Sequence, residues 1–202
     1  MNNQGKRPLS RRELCGVAVA ALFAMVTPAA ANAAAEDYVI NIADDVMKLA
    51  NTGRKGTALR GQFASLLNRY INLKGIADYA LGPYVKKLPP DKRSEFYTLV
   101  SNYAAALFVY YVDDFRGNKL DIKSTTQQGK FTVIQSEITG GGGREQVRWR
   151  LTPSGGGFRV SDVNIKGVWL TIAMKDRFSK VLKSSKGDFG PLFAELREAE
   201  TW

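Results

Sequence analysis

The sequence predicts an α+β domain: a twisted antiparallel sheet of about four strands, covered by helices from the N-terminal half and the C-terminus. Three observations carry this. Over residues 36–112 apolar side chains recur every three or four positions, the helical period. After Gly117 the period changes to two, over four stretches parted by Gly-rich turns. After Gly167 the helical period returns. Strands joined by such short turns pair antiparallel, and helices on either side of a meander cover one face of the sheet.

The first 35 residues stand apart from this domain. Lys6, Arg7, Arg11 and Arg12 form a positive n-region, and "GVAVAALFAMV" over residues 16–26 is an apolar h-region. Ala31-Asn32-Ala33 and Ala33-Ala34-Ala35 are cleavage signals of the A-x-A kind. This is the grammar of a secretory signal peptide, and the apolar run falls short of the ~20 residues a spanning helix needs. Residues 1–35 are therefore read as a signal peptide and residues 36–202 as a single domain. Arg11-Arg12 leaves Sec and twin-arginine export both open. Cys15 is the one cysteine and lies in the leader, so the exported domain relies on its core and not on disulfides.

The elements follow in order. Val39, Ile40, Ala43, Val46, Met47 and Ala50 give a first helix over residues 36–51, and Gly53 and Gly56 break it. Leu59, Phe63, Leu66, Leu67 and Tyr70 form the stripe of a second helix. Ile76, Ala77, Ala80 and Leu81 make a short third one, ended by Gly82-Pro83. After Pro89-Pro90, Asp91 is expected to cap a fourth helix. Its stripe is Phe96, Leu99, Val100, Tyr103, Leu107, Tyr110 and Tyr111. Residues 104–112, "AAALFVYYV", are apolar on every side, so this helix is expected to be covered all round. Leu120 and Ile122, "KFTVIQSEIT", "REQVRWRLT" and "GFRVSDVNIKG" are the four strands. On the last two, apolar and polar residues mix between the parities, so alternation alone does not assign their faces. A helix over residues 169–182 turns Ile172, Phe178 and Leu182 inward, and a short one starts near Asp188.

Composition excludes several chemistries. There is no histidine, so Ser-His-Asp and Cys-His triads, histidine-ligated zinc and haem, and histidine acid–base catalysis are absent. "GGGG" over residues 140–143 precedes a strand, not a helix, and reads as a hairpin linker rather than a phosphate loop. Asp44-Asp45 and Asp113-Asp114 are neighbours on helices, diverge by ~100°, and read as solvated surface. The net charge is +10 for the whole chain, and the basic residues are scattered and match no nucleic-acid-binding motif. An exported basic protein meets anionic lipid head groups and acidic partner surfaces instead. The stretch "YALGPYVKKLPPDKRSEF" over residues 79–96 has two readings: a helix-to-helix corner, or the mouth of a site for a molecule with an oily body and an anionic head.

The run "FASLLNRYINLKGIADYALGPYVKKLPPDKRSEFYTLVSNY" resembles the helical signature of the MlaC family, also called the toluene-tolerance auxiliary family. Phe63, the "IADYALG" turn ending at Gly82, Tyr84, the lysine pair, Phe96 and Tyr103 carry the resemblance. "RVSDVNIKGVWL", with Asp162, Val163 and Gly167, resembles the family's last strand and turn, and Phe178 matches its last helix. Trp169 and Lys175 depart from the pattern, which commonly has serine and arginine there; this points to a divergent paralogue. The resemblance implies a fold like the nuclear-transport-factor cone. It implies a non-enzymatic, monomeric periplasmic shuttle carrying phospholipid, or a related lipid, between an outer-membrane lipoprotein complex and an inner-membrane ABC transporter with an MCE-domain subunit. It implies no cofactor, no metal and no nucleic acid. The acyl chains would lie between sheet and helices, lined by Leu81, Tyr84, Val85, Phe96, Val100, Tyr103, Leu107 and Tyr111 from the helices. Val133, Val147, Trp149, Val163, Ile165 and Val168 would line them from the strands. Lys86 and Lys87 would meet an anionic head group or membrane.

A two-chain lipid holds about 30 methylenes at about 0.8 kcal/mol each, so roughly 24 kcal/mol opposes its bare passage through water. A carrier must offer an apolar space of comparable worth, with walls that part. Two other readings stand beside this one: an enzyme on a cone-shaped sheet using a buried Asp162 with a tyrosine, and an envelope adaptor with a basic surface.

Overall fold

The helical period of the N-terminal half becomes four helices. In the computed structural model, which describes residues 28–110, 117–140 and 143–201, α1 spans Pro28–Ala50. Ala35, Val39, Ile42, Val46 and Ala50 lie buried along one of its faces. The helix starts upstream of Glu36 and runs through the expected cleavage point. The Glu36 carboxylate accepts from Thr125 Oγ1 at 2.5 Å, which ties the helix to the first strand. α2 (Gly56–Tyr70) buries Leu59, Phe63, Leu66 and Leu67. The side chain of Asn72 caps α3 (Leu73–Leu81) by accepting from the Gly75 N–H at 3.1 Å, and Gly82, at φ +54°, ends it. Asp91, expected as a cap, lies instead inside a 3₁₀ turn at Pro90–Lys92, and α4 (Arg93–Tyr110) starts directly from that turn.

The sheet is a meander, β1 (Lys119–Gln128), β2 (Phe131–Gly140), β3 (Gly143–Ser154), β4 (Gly157–Ile165) and β5 (Val168–Trp169), each strand antiparallel to the next. The four expected strands are present and a two-residue fifth is added. Lys166 and Gly167, at φ 52° and 83°, form the two-residue turn that folds β5 back on β4. Further along the same strand, Asn72 N–H donates to the Val160 carbonyl at 2.9 Å and Ile71 bridges Val160. Both ends of β4's outer edge therefore have partners.

Two bulges explain why the strand faces were unreadable from alternation. Leu151 pairs with Val160 and Arg150 with Asp162, so Ser161 is an extra residue on β4. Val160 and Val163, of opposite parity, thus face the same side. Likewise Ile122 pairs with Ser136 and Ser124 with Gln135, leaving Lys123 extra on β1. With these shifts the inner face carries Leu120, Ile122, Ile134, Ile138, Val147, Trp149, Leu151, Val160, Val163 and Ile165, all in one apolar cluster.

The chain closes with α5 (Leu170–Ser184) and α6 (Gly190–Glu198). Phe178 and Leu182 of α5 point inward as expected, whereas Ile172 is 44% exposed and Thr171 takes the inward place. The reason is Asp162, described below.

Candidate functional site

The buried apolar residues fall into two groups, and α4 joins them. The first lies between the inner face of the sheet and α1, α2 and the C-terminal half of α4. Val39, Ile42 and Val46 come from α1; Leu59, Phe63, Leu66 and Leu67 from α2; Ala105 from α4; and Ile134, Val147, Leu151, Val160 and Val163 from the sheet. Phe63 stacks on Phe108 at 5.7 Å between ring centroids. Tyr38 closes one end, edge-on to Tyr70 at 5.6 Å and beside Phe158 at 6.1 Å, with its hydroxyl donating to the Tyr70 carbonyl at 2.9 Å. Burial raises the Tyr38 phenol pKa above its usual value, partly offset by Arg159. Trp149 lies inside the layer and its indole N–H donates to Ser136 Oγ at 2.9 Å, which in turn donates to the Val147 carbonyl at 3.2 Å. A polar pair is thereby satisfied within an otherwise apolar space.

The second group is wholly helical. Ala77, Ala80 and Leu81 of α3, Phe96, Leu99 and Val100 of α4, Phe178 and Leu182 of α5 and Leu192, Phe193 and Leu196 of α6 pack together with Leu88. Phe96 stands at 6.1 Å from Phe178 and 6.0 Å from Phe193. The stretch over residues 79–96 is the corner of this group. Tyr84 and Val85 are half-buried against it, Leu88 is buried, and Arg93 donates to the Val85 carbonyl at 3.3 Å. Lys86 and Lys87 are exposed, and Lys87 Nζ lies 5.5 Å from the centre of the Tyr84 ring.

The expected lining residues are thus divided between two spaces. Val147, Trp149, Val163 and Ile165 belong to the layer under the sheet. Leu81, Tyr84, Val85, Phe96, Val100 and Tyr103 belong to the helical group, where burial also raises the Tyr103 phenol pKa. Leu107 is half-buried and belongs to neither group. Val133 is buried on the opposite face of the sheet, because its neighbour Ile134 takes the inner position opposite Trp149. Val168 is 52% exposed at the edge. Tyr111 and Asp113-Asp114 lie outside the described residues. The all-round cover expected for α4 ends before Tyr110, which is 69% exposed. The residues that sequence reasoning left out of the site are those of α1 and α2, above all Val39, Ile42, Val46, Leu59 and Phe63. Their stripes were legible, but not the fact that they face Trp149 and Val163.

On the outer face of the sheet Asp162 is 4% exposed and fully engaged. It accepts from the Val163 N–H at 2.9 Å, the Thr171 N–H at 3.1 Å and Thr171 Oγ1 at 2.6 Å, and Arg150 Nη1 lies 3.6 Å away. A carboxylate at the first turn of α5 suits the positive end of the helix. These bonds pin α5 to β4. Arg150 also stacks over Trp169 at 3.8 Å, with Arg148 at 5.7 Å from the same ring. Asp45 is likewise a tie and not half of a catalytic pair: it accepts from the Tyr70 hydroxyl at 2.8 Å and pairs with Arg69 and Lys48, each at 3.4 Å.

Two open surface hollows measure about 510 and 450 Å³. Asp121, Thr139, Gly140, Gly143 and Arg144 line the first. Asn68, Asn72, Lys74, Thr152 and Arg159 line the second, beside Ile71 and Leu73 at the margin of the apolar layer. Among the described residues no acidic cluster could hold a metal ion, and no helix is long and apolar enough to cross a membrane. The arrangement places an apolar layer between the inner face of the sheet and α1, α2 and α4.

No curated protein matches the sequence. Seven chains of solved structures match this one in fold. One is the phospholipid-binding protein from Ralstonia solanacearum, solved in complex with a phospholipid; it is 18% identical, with a TM-score of 0.69 over 85% of this chain and 97% of that one. At this identity the likeness is one of fold, a sheet backed by helices in both. The MlaC protein family matches residues 39–198, from the buried face of α1 to the last residue of α6. The chain belongs to the MlaC family.

Proposed function

We propose that this protein is a periplasmic lipid carrier that takes the acyl chains of a phospholipid, or a related lipid, between its sheet and α1, α2 and α4, and moves the lipid between the outer and inner membranes without chemistry. The observation that carries the reading is the apolar layer under the sheet: a two-sided space built from three helices and the strand faces, in a fold shared with a protein solved with phospholipid bound. Buried side chains of sheet and helices pack against each other in this layer, and on this reading uptake has the helices move away from the sheet. The lipid replaces contacts that the side chains make with each other, which is how a small domain offsets the roughly 24 kcal/mol that opposes the lipid in water. The leader over residues 1–35 would direct export and be removed. An inner-membrane ABC transporter with an MCE-domain subunit and an outer-membrane lipoprotein complex are the partners this reading expects.

The test is mass spectrometry of protein purified from a periplasmic extract without detergent, run native and after organic extraction. A stoichiometric lipid adduct is expected, and its mass names the cargo. Protein that is lipid-free, and that moves no labelled phospholipid between vesicles, overturns the reading.

A further inference from the structure

Three aliphatic side chains at the junction of β5 and α5 have no place in either buried group. Val168 is 52%, Leu170 38% and Ile172 44% exposed, within five consecutive residues. Exposed apolar residues scattered singly need no explanation; three within five residues at one turn do. Lys166 and Gly167 reverse the chain tightly, and Asp162 then binds Thr171. That bond rotates α5 so that Thr171 faces inward and Ile172 outward.

The surroundings of this knuckle are cationic and aromatic. Lys166 is exposed at the turn itself. Lys175, one helical turn beyond Ile172, lies with its Nζ 5.0 Å from the centre of the Tyr79 ring, and Tyr79 is 50% exposed. A Cβ placed on Gly82 would stand 3.6 Å from Lys175 Cε, so the corner that leads to Lys86 and Lys87 begins beside it. On the other side Trp169 is stacked on Arg150 and Arg148, and Arg148 is exposed. Asp176 is the exposed acidic group on the same stretch of helix; Asp162 is buried against Arg150 and contributes no free negative charge.

The knuckle is also continuous with the apolar layer. Val168 pairs with Ile165, and Ile165 with Val147, so the three stand in one row on the inner face of the sheet. Val147 is buried, Ile165 half-buried and Val168 exposed. The row runs from the layer out to solvent.

We propose that Val168, Leu170 and Ile172 insert into the interfacial zone of an anionic phospholipid bilayer, with Lys166 and Lys175 beside them on the head groups. This rests on the carrier reading and locates the edge at which lipid enters the layer. The chemistry favours a bilayer over a protein partner. The exposed side chains are aliphatic and lie beside cations, the pairing that an anionic bilayer meets with both its apolar zone and its head groups. The knuckle's flanks carry long cations, whose stems can lie on apolar surface while the charge stays wet, and amphipathic aromatics of the type that gather at membrane interfaces. Membrane attachment of this kind draws on both apolar insertion and attraction to anionic lipid.

The test is sedimentation of the full protein with vesicles of phosphatidylcholine containing phosphatidylglycerol, and with phosphatidylcholine alone. The wild type should bind the anionic vesicles. The triple variant Val168→Ser, Leu170→Ser, Ile172→Ser should bind them about tenfold less. The variant Lys166→Glu, Lys175→Glu, which leaves the apolar residues intact, should lose the preference for phosphatidylglycerol. Ile40→Ser, at an exposed apolar position on α1, should bind as the wild type does. Wild-type protein that ignores both kinds of vesicle overturns the proposal and assigns the knuckle to a protein partner. So does a triple variant that binds undiminished. Lipid extracted from the same preparations separates this from the carrier reading. Vesicle binding by lipid-free protein that transfers nothing sinks the carrier and keeps the docking; co-purified lipid without vesicle binding does the reverse.

Discussion

Asp162 shows how one side chain decides the arrangement around the site. A buried aspartate near tyrosines reads from sequence as the best acid–base candidate in a chain without histidine. Its hydrogen bonds to Thr171 and the Val163 N–H instead make it the fastening between β4 and α5. Asp162→Ala should therefore cost about 2–4 kcal/mol in urea unfolding, because Thr171 and Arg150 lose a buried anionic partner. The loss should appear as instability and not as a changed reaction. Tyr38 offers a pH test. Burial raises its pKa above the ordinary tyrosine value, so the folded state favours the neutral phenol. The stability this contributes is full below the unfolded pKa of about 10 and is lost as pH rises through the folded value. Tyr38→Phe should cost about 1 kcal/mol at neutral pH through the lost bond to the Tyr70 carbonyl, and should flatten part of the alkaline decline in melting temperature. Tyr70, Tyr97 and Tyr103, raised for the same first reason, keep the rest.

At the scale of elements, the helices and strands were legible because their periods are clean: Leu59, Phe63, Leu66 and Leu67 could only be a helix face, and the Gly-rich turns parted the strands. What escaped was set by geometry that a period does not encode. One extra residue, Ser161, reverses which parity of β4 points inward, so Val160 and Val163 face the same layer. In β2, Val133 and Ile134 are both apolar, and the pairing of Ile134 with Trp149 decides between them. In α4, Phe96 and Ala105 lie on one helix but serve different groups, so the helix bridges two cores where the sequence suggested one cavity. The bulge gives a direct prediction. Deleting Ser161 restores plain alternation and turns either Val160 or Val163 to the outer face. The variant should lose cooperative unfolding by circular dichroism, whereas Ser161→Ala should keep it.

At the scale of the molecule, the buried apolar residues divide into two groups, and the proposed function gives each a separate task. The helical group of α3, α5, α6 and the first half of α4 is a closed core, held from outside by ties such as Arg177–Glu195 at 2.6 Å and Arg197–Glu95. On the proposed function the layer under the sheet, bounded by α1 and α2, is the one that opens for lipid. Ala105 faces that layer and Ala80 the helical group. Ala105→Trp should fill the layer, cost about 1–3 kcal/mol by overpacking and reduce bound lipid. A bulky residue at Ala80 should cost stability by a similar amount and leave the lipid content of the folded fraction unchanged.

The tryptophans report on the central claim, that acyl chains enter between the helices and the inner face of the sheet. Trp149 lies in the layer and Trp169 pairs on the outer face. The measurement is fluorescence of two single-tryptophan variants, Trp169→Phe with Trp202→Phe and Trp149→Phe with Trp202→Phe. Each is loaded with phospholipid brominated on its acyl chains and then separated from vesicles. Bromine quenches on contact, so Trp149 should be strongly quenched and Trp169 should stay bright. Protein that holds the brominated lipid with Trp149 unquenched contradicts the account and places the chains elsewhere.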